Sequence, residues 1–340
     1  MNVQKDDLLD LLIRPGFFVK DQKIAAVNSQ AGALLLEPGM EIDSLLATGR
    51  TELAEFENGC LSLELKLGEQ NVPATVTAAD DGLVFVLDQD TPELRSLALA
   101  AKELREPLTG LMVCAQQLAA LPDGKEQAAR VNRGLHQLLR VVGNMSDAGR
   151  KDARMELQEL CGLTREIFDR AKALTDSTGI TLTYAGPEEK IYGLADGGLL
   201  ERAVLNLLSN AIKFTPKGGT VAAKLARHGR RLYLTVTDSG SGIAENVRRN
   251  LFSRYLRQPG LEDSRYGIGL GLVLVRSAAA RHGGTVLVDQ PKGTRVTLTL
   301  AIRQDTGNVV RSPRLRVDYA GEQDHGLIEL SDCLPPELYE

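Results

Sequence analysis

The residues best placed to do chemistry lie between Glu201 and Ile302. Asn206 and Asn210 stand four apart in Glu201-Arg-Ala-Val-Leu-Asn206-Leu-Leu-Ser-Asn210-Ala-Ile-Lys213-Phe214, so both amides face one side of a helix. Asp238 ends the alternating stretch Leu232-Tyr-Leu-Thr-Val-Thr237 and is followed by Ser-Gly240-Ser-Gly242-Ile243. Leu251-Phe252-Ser-Arg254-Tyr255 comes next. The run Gly267-Ile-Gly269-Leu270-Gly271-Leu272 then opens a helix reaching His282, whose free N–H groups and positive end suit a phosphate. Gly293-Thr294 completes the series. Taken singly each signal is weak, because glycine serves a turn as readily as a ligand loop. Five in this order and spacing are a poor fit to chance.

Together they resemble the N, G1, F, G2 and G3 boxes of the ATP-binding domain of sensor histidine kinases, within the wider gyrase–chaperone–kinase ATPase superfamily. The resemblance spans roughly Met155 to Ile302 and implies ATP and Mg²⁺ as ligands. It implies Asn210 as the Mg²⁺ ligand bridging to the triphosphate, with Asn206 beside it; a neutral amide oxygen suits a hard ion held mainly through phosphate. Lys213 would face the phosphates as a point charge, next to Phe214. Asp238 would accept from the adenine amino group, with Gly240, Gly242 and Ile243 letting backbone come close to the base. Phe252 and Tyr255 would start a short lid, roughly Gln258 to Tyr266, from which Arg265 reaches toward the phosphates. Gly267, Gly269, Leu270, Gly271 and Leu272 would meet the phosphates, and Thr294 the pocket wall. Superfamily ATPases that hydrolyse ATP carry a glutamate where Asn206 stands. An amide takes no proton, so this site suits holding ATP for transfer or switching.

The elements that position these boxes follow in chain order. Residues 1–90 read as a small α+β sensor or dimerisation unit, weakly similar to the opening of a PAS domain, with strands at Gly16–Val19, Gly59–Leu65, Ala74–Val76 and Leu83–Leu87 and a helix over Asn28–Leu36. Over 91–150, Leu97, Ala101, Leu104, Leu108, Leu111, Ala115 and Leu118 step by four and three. Ala128, Val131, Leu135, Leu138, Val142 and Met145 repeat the pattern after Pro122-Asp123-Gly124. Two such helices form an antiparallel hairpin, and its remaining apolar stripe predicts a homodimeric four-helix bundle. Residues 151–303 hold the ATP-binding domain, an α/β sandwich, with Asp196 as a cap-like acid before the Asn206 helix. Residues 304–340 form an extension, with Leu315–Tyr319 and Leu327–Leu330 suggesting a β-hairpin. The fold class is α+β.

The 91–150 hairpin resembles the dimerisation and phosphotransfer domain of the same kinases. Their signature, His-Glu-Leu-Arg-Thr-Pro-Leu, aligns with Lys102-Glu103-Leu104-Arg105-Glu106-Pro107-Leu108. Lys102 thus stands in the phosphoacceptor slot. A neutral imidazole with pKa ~6.5 can attack phosphorus at neutral pH, whereas a solvated lysine with pKa ~10.4 keeps a proton on its lone pair. Lys102 attracts phosphate but is a poor nucleophile. Glu103 adjoins the slot and reads either as a base-orienting group or as a solvated helix acid. His136, beside the seam of the second helix, reads as a helix-surface histidine rather than a substitute acceptor.

The bulk numbers set limits. A length of 340 residues suggests two to three domains, and 43% hydrophobic with 25% charged residues is the profile of a globular protein. The net charge of −5 gives no basic field for nucleic acid. No apolar run approaches the ~18 residues of a membrane span, and the N-terminus lacks a signal-peptide pattern, so a cytoplasmic chain without membrane insertion is expected. Cys60, Cys114, Cys161 and Cys333 are scattered, which argues against a metal or disulfide framework. Three readings stand. One is a nucleotide-binding kinase homologue of a two-component pathway, degenerate in autophosphorylation, with a response regulator or another protein as partner. The second is a kinase acting on a serine or histidine of a partner protein. The third is a non-catalytic binding scaffold.

Overall fold

The computed structural model of the chain describes residues 14–88, 92–121, 124–148, 154–243, 251–252, 270–290, 292–303 and 324–339, with Leu9 and Leu12. The chain begins with a hairpin, β1 (Gly16–Lys20) and β2 (Lys23–Val27), turned by Asp21 and Gln22 at positive φ. Asn28 caps α1 (Ser29–Gly32) by accepting from the Ala31 N–H, so this helix ends well before Leu36. Short helices α2 (Ile42–Leu45) and α3 (Arg50–Ala54) precede the meander β3 (Cys60–Leu67), β4 (Gln70–Ala79) and β5 (Gly82–Leu87). Phe17 and Phe85 stack at 4.9 Å in the core of this unit, among Ile24, Leu61, Leu65 and Val76.

Two long helices follow, α4 (Pro92–Ala119) and α5 (Lys125–Ala148). The apolar positions of the hairpin divide into two sets. Ala101, Leu108, Ala115, Leu135 and Val142 are buried between the helices. Leu104, Leu111, Val131 and Leu138 are 46%, 52%, 45% and 50% exposed, in pairs seven residues apart. That second set is the stripe one hairpin cannot cover.

The remaining elements are β6 (Glu156–Glu159), α6 (Leu160–Thr175), β7 (Thr181–Ala185), β8 (Tyr192–Ala195), α7 (Gly197–Phe214), β9 (Thr220–His228), β10 (Arg231–Asp238), α8 (Gly271–Arg281), β11 (Val286–Asp289) and β12 (Arg295–Ala301). Helices α6, α7 and α8 bury Phe168, Leu200, Leu208 and Val275 against Val221, Leu234, Val286 and Leu298 of the sheet. The strand order is β2-β1-β5-β4-β3-β11-β12-β10-β9-β7. The N-terminal unit and the α/β sandwich therefore share one sheet, joined where Cys60, Leu61 and Ser62 pair antiparallel with Val288, Leu287 and Val286. Asp88, after β5, reinforces the joint by bonding Arg276 of α8 and, at 2.6 Å, Arg14.

The expected C-terminal β-hairpin is corrected. Its second arm, Leu327–Leu330, lies in and just after the helix α9 (His325–Glu329), which Asp324 caps by accepting from the Gly326 N–H. A 3₁₀ turn, Pro336–Tyr339, follows. The physical reason is burial around the segment. Ile328 fits into the α4–α5 core while Leu330 and Leu334 join the α7 core, and a helical turn can face two surfaces where an edge strand faces one. Leu315–Tyr319, the other arm, lies outside the described residues.

Candidate functional site: a pocket at the Asn206 helix

The site is built on α7. Asp196 caps it, Oδ1 accepting from the Leu199 N–H at 3.0 Å and Oδ2 from the Arg154 N–H at 2.9 Å. The Asp196 N–H donates in turn to His282 Nε2 at 3.1 Å, and His282 Nδ1 meets the Ala278 carbonyl at 2.7 Å. This fixes the start of α7 against the end of α8. Burial pushes the His282 imidazole below its ordinary pKa, outweighing the Ala278 carbonyl and Asp196, with Arg303 and Arg281 adding to the depression. A neutral ring suits a nitrogen that accepts from a backbone N–H.

One end of the pocket centres on Asp238. Its Oδ1 accepts from the Gly240 N–H at 2.8 Å and the Thr294 N–H at 3.2 Å. Its other oxygen, Oδ2, takes neither of these two donors. Two glycines make that geometry attainable. A Cβ at Gly293, which sits at φ +82°, would lie 2.0 Å from the Asp238 carbonyl oxygen, and one at Gly240 would lie 2.5 Å from the Phe214 carbonyl oxygen. Gly242 is also at positive φ, and the Ile243 carbonyl accepts from Gln290 Nε2 at 2.6 Å.

The other end holds Asn206, Asn210 and Lys213, on α7, against the first turn of α8. Asn206 is fully buried, and Gly271 lies so near that a Cβ there would come 2.9 Å from Asn206 Oδ1. Leu270 is buried and Leu272 packs against the α7 core. Asn210 and Phe214 are half-buried. The structure therefore brings together Asn206, Asn210, Lys213, Phe214, Asp238, Gly240, Gly242, Ile243, Leu270, Gly271, Leu272 and Thr294. Gly267 and Gly269, with the lid Gln258–Tyr266 and Tyr255, lie outside the described residues. Lys102 and Glu103 stand elsewhere, exposed on α4.

Four residues that sequence reading left aside enter this end. Arg140 of α5 is buried, placing Nη2 3.4 Å from Asn206 Oδ1 and Nη1 2.6 Å from Asp332. Lys213 Nζ donates to the same Asp332 oxygen at 3.1 Å. Glu329, fully buried, accepts from Asn206 Nδ2 at 3.0 Å and Arg202 Nε at 2.9 Å. Arg202 also bonds Asn144 at 2.8 Å and pairs with Asp147. Burial raises the Asp332 pKa, but Arg140 and Lys213 outweigh it and hold the carboxyl below its ordinary value. His136, expected on the helix surface, is buried with its ring edge-on to Tyr339 at 4.9 Å. Local pattern carries no signal for these contacts, since Glu329 and Asp332 stand well over a hundred positions from Asn206 and Lys213.

A carboxylate set by two glycines, two amides on one helix and a glycine-opened helix facing them are groups suited to a nucleotide. Residues 195–304 match the family of histidine kinase-, DNA gyrase B- and HSP90-like ATPases. The chain is 30% identical to the sensor-like histidine kinase SenX3 of Mycolicibacterium smegmatis, over 61% of this chain and 56% of SenX3. It is 32% identical to the histidine protein kinase DivJ of Caulobacter vibrioides, over 61% of this chain and 37% of DivJ. Full-length ShkA, solved in complex with AMPPNP, superposes with a TM-score of 0.51 at 25% identity, covering 64% of this chain and 47% of that one. Residues 195–304 thus form a domain of that ATPase family, and the relatives named are sensor histidine kinases. It spans about half the length of SenX3 and less of DivJ. No described helix is long and apolar enough to cross a membrane.

Proposed function

We propose that this chain binds Mg-ATP between α7, α8 and the Asp238 loop and signals in a two-component pathway without standard histidine autophosphorylation. The reading rests on one juxtaposition: Asp238 held by the Gly240 and Thr294 N–H groups, and a lysine in the acceptor frame on α4. Asp238 would receive the adenine amino group on its second oxygen. Asn210 would hold Mg²⁺, and Lys213 with the first turn of α8 would meet the phosphates. The bound nucleotide would supply a transferable phosphoryl group, and the ion would neutralise its charge.

A lysine, not a histidine, stands exposed in the acceptor frame. Asn206 offers no base for water. The exposed pairs Leu104/Leu111 and Val131/Leu138 support a homodimer through residues 91–150, with a response regulator or another protein as the downstream partner. The test is intact mass after incubation with Mg-ATP at neutral pH, with Asn210→Ala as control, alongside calorimetric titration. We expect ATP bound and no added phosphate. A stable gain of 80 Da absent from the control would instead establish a working kinase and move the reading to phosphotransfer through another acceptor.

A further inference from the structure

The segment 324–339 turns its acidic residues onto the cations and amide of the phosphate end. Asp332 Oδ2 lies 2.6 Å from Arg140 Nη1 and 3.1 Å from Lys213 Nζ, so one carboxylate oxygen takes two cations. Glu329 takes the Asn206 amide nitrogen, while Arg140 approaches the Asn206 oxygen. With Arg202 O also accepting from Nδ2 at 3.0 Å, both ends of the Asn206 amide are in use. These are the contacts an anionic ligand would need.

The segment is seated firmly. Arg133 Nε donates to the Ser331 carbonyl at 3.1 Å, Asn132 to the Tyr339 carbonyl at 3.0 Å, and the Tyr339 hydroxyl to the Leu327 carbonyl at 2.7 Å. Ile328 is buried against α4 and α5, whereas Leu330 and Leu334 are buried with α7. The segment thus packs on both the helical hairpin and the α/β sandwich, while its Glu329 and Asp332 meet the polar groups of the Asn206 end. A cavity of about 370 Å³ opens beside the Lys213–Asp332 pair, bounded also by Gln137, Ile212 and Cys333.

We propose that the C-terminal segment is a built-in competitor of the nucleotide phosphates: Asp332 stands on Lys213 and Arg140 in place of a phosphate oxygen, and docking of the segment and binding of Mg-ATP exclude each other. Arg140 is then a phosphate-site cation contributed by the hairpin, and nucleotide binding frees the hairpin from the sandwich. The inference rests on the Mg-ATP reading above. A ligand that binds only the undocked state has its affinity reduced by the fraction docked, so loosening the segment must tighten nucleotide binding.

The experiment uses the full chain, wild type and Asp332→Asn, with calorimetric Mg-ATP titration and peptide-level mass spectrometry of cysteine alkylation. Cys333 in the segment is half-buried, with its thiol directed at the Ser209 carbonyl at 3.3 Å, and its pKa is raised by burial. Cys114 is exposed and gives the reference, and buried Cys60 and Cys161 report that the fold is intact. Asp332→Asn should bind Mg-ATP about tenfold more tightly. Saturating Mg-ATP should raise Cys333 labelling in the wild type several-fold relative to Cys114. Equal affinities with unchanged Cys333 labelling at saturation overturn the competition while leaving the ATP reading intact. No heat of binding in either protein overturns the ATP reading itself.

Discussion

The two ends of the pocket are built by different means. At the Asp238 end the parts are supplied by loops of the α/β sandwich, whose strands β10 and β12 already pair, so backbone N–H groups and two glycines set the geometry. At the Asn206 end the polar contacts come from α5, α7 and the segment after Asp324, and they meet only when those elements are docked. The first end is anchored on a sheet. The second is conditional, because buried charges held by three separate elements keep their pairing only while all three stay together. A pocket made this way can stay ready for a base while its phosphate end is opened or closed.

The largest test of that contrast is Arg202→Ala. It strips Glu329, Asn144 and Asp147 of a shared buried partner, and removing one member of such a set costs about 3–5 kcal/mol. Urea denaturation should show that loss. A change below about 1 kcal/mol would mean that the conditional end does not depend on its long-range pairs.

Gly293→Ala probes the sheet-anchored end and should come next. Its Cβ has no room beside the Asp238 carbonyl, and its backbone sits at φ +82°, so we expect about 2–4 kcal/mol of destabilisation. The midpoint of the same denaturation curve checks it. Asp238→Asn is milder for the fold and harsher for the ligand. It exchanges a charged acceptor for an amide, and hydrogen bonds to charged groups are worth about 1.5–3 kcal/mol, or roughly 10–100-fold in Mg-ATP affinity. It should lower affinity where Asp332→Asn raises it. Opposite signs from two acid-to-amide changes in one pocket would separate an acid that receives the nucleotide from one that displaces it.

How much of this was legible beforehand follows the same division. The amide pair on α7, the acid cap at Asp196 and the glycines around Asp238 are consequences of local spacing: residues four apart share a helical face, a side chain accepts from the first turn, and Cβ-free positions sit at tight turns. The helical hairpin was equally plain from its periodicity. The division of its apolar positions into an inner and an outer set was not, since step spacing marks a seam without saying which partner covers it. The shared sheet through β3 and β11 was hidden because each strand carries an ordinary apolar pattern whichever neighbour it has. Arg140, Glu329 and Asp332 carried no signal of their own, because solvated and ion-paired residues look alike in a sequence. The strand expected at Leu327–Leu330 failed for a related reason: a run of four apolar and polar residues fits either period, and the surfaces around it decided.

Acidification offers the gentlest separation of the two ends. His282 accepts from the Asp196 N–H only when its Nε2 is unprotonated, and its folded pKa lies below the ordinary 6.5. The unfolded chain therefore binds more protons than the folded one as pH drops below about 6.5, and stability falls there by at most about 1.4 kcal/mol per pH unit for this one group. Asp332 behaves in the opposite range. Its folded pKa is below the ordinary 3.8, so its contribution is complete at every pH above that value and is lost only as pH falls through the depressed one. Between pH 7.5 and 5.5 the anchorage of α7 should weaken while the Asp332 lock holds. Denaturation midpoints recorded across that range should decline in the wild type and stay level in His282→Gln, which starts lower because its amide does not reproduce the ring's paired contacts. Cys333 labelling, taken relative to that of Cys114 at each pH, should not change over the same interval. If the midpoint decline persisted in His282→Gln, the pH response would belong to another titrating group, and the start of α7 would be held by its Asp196 cap alone.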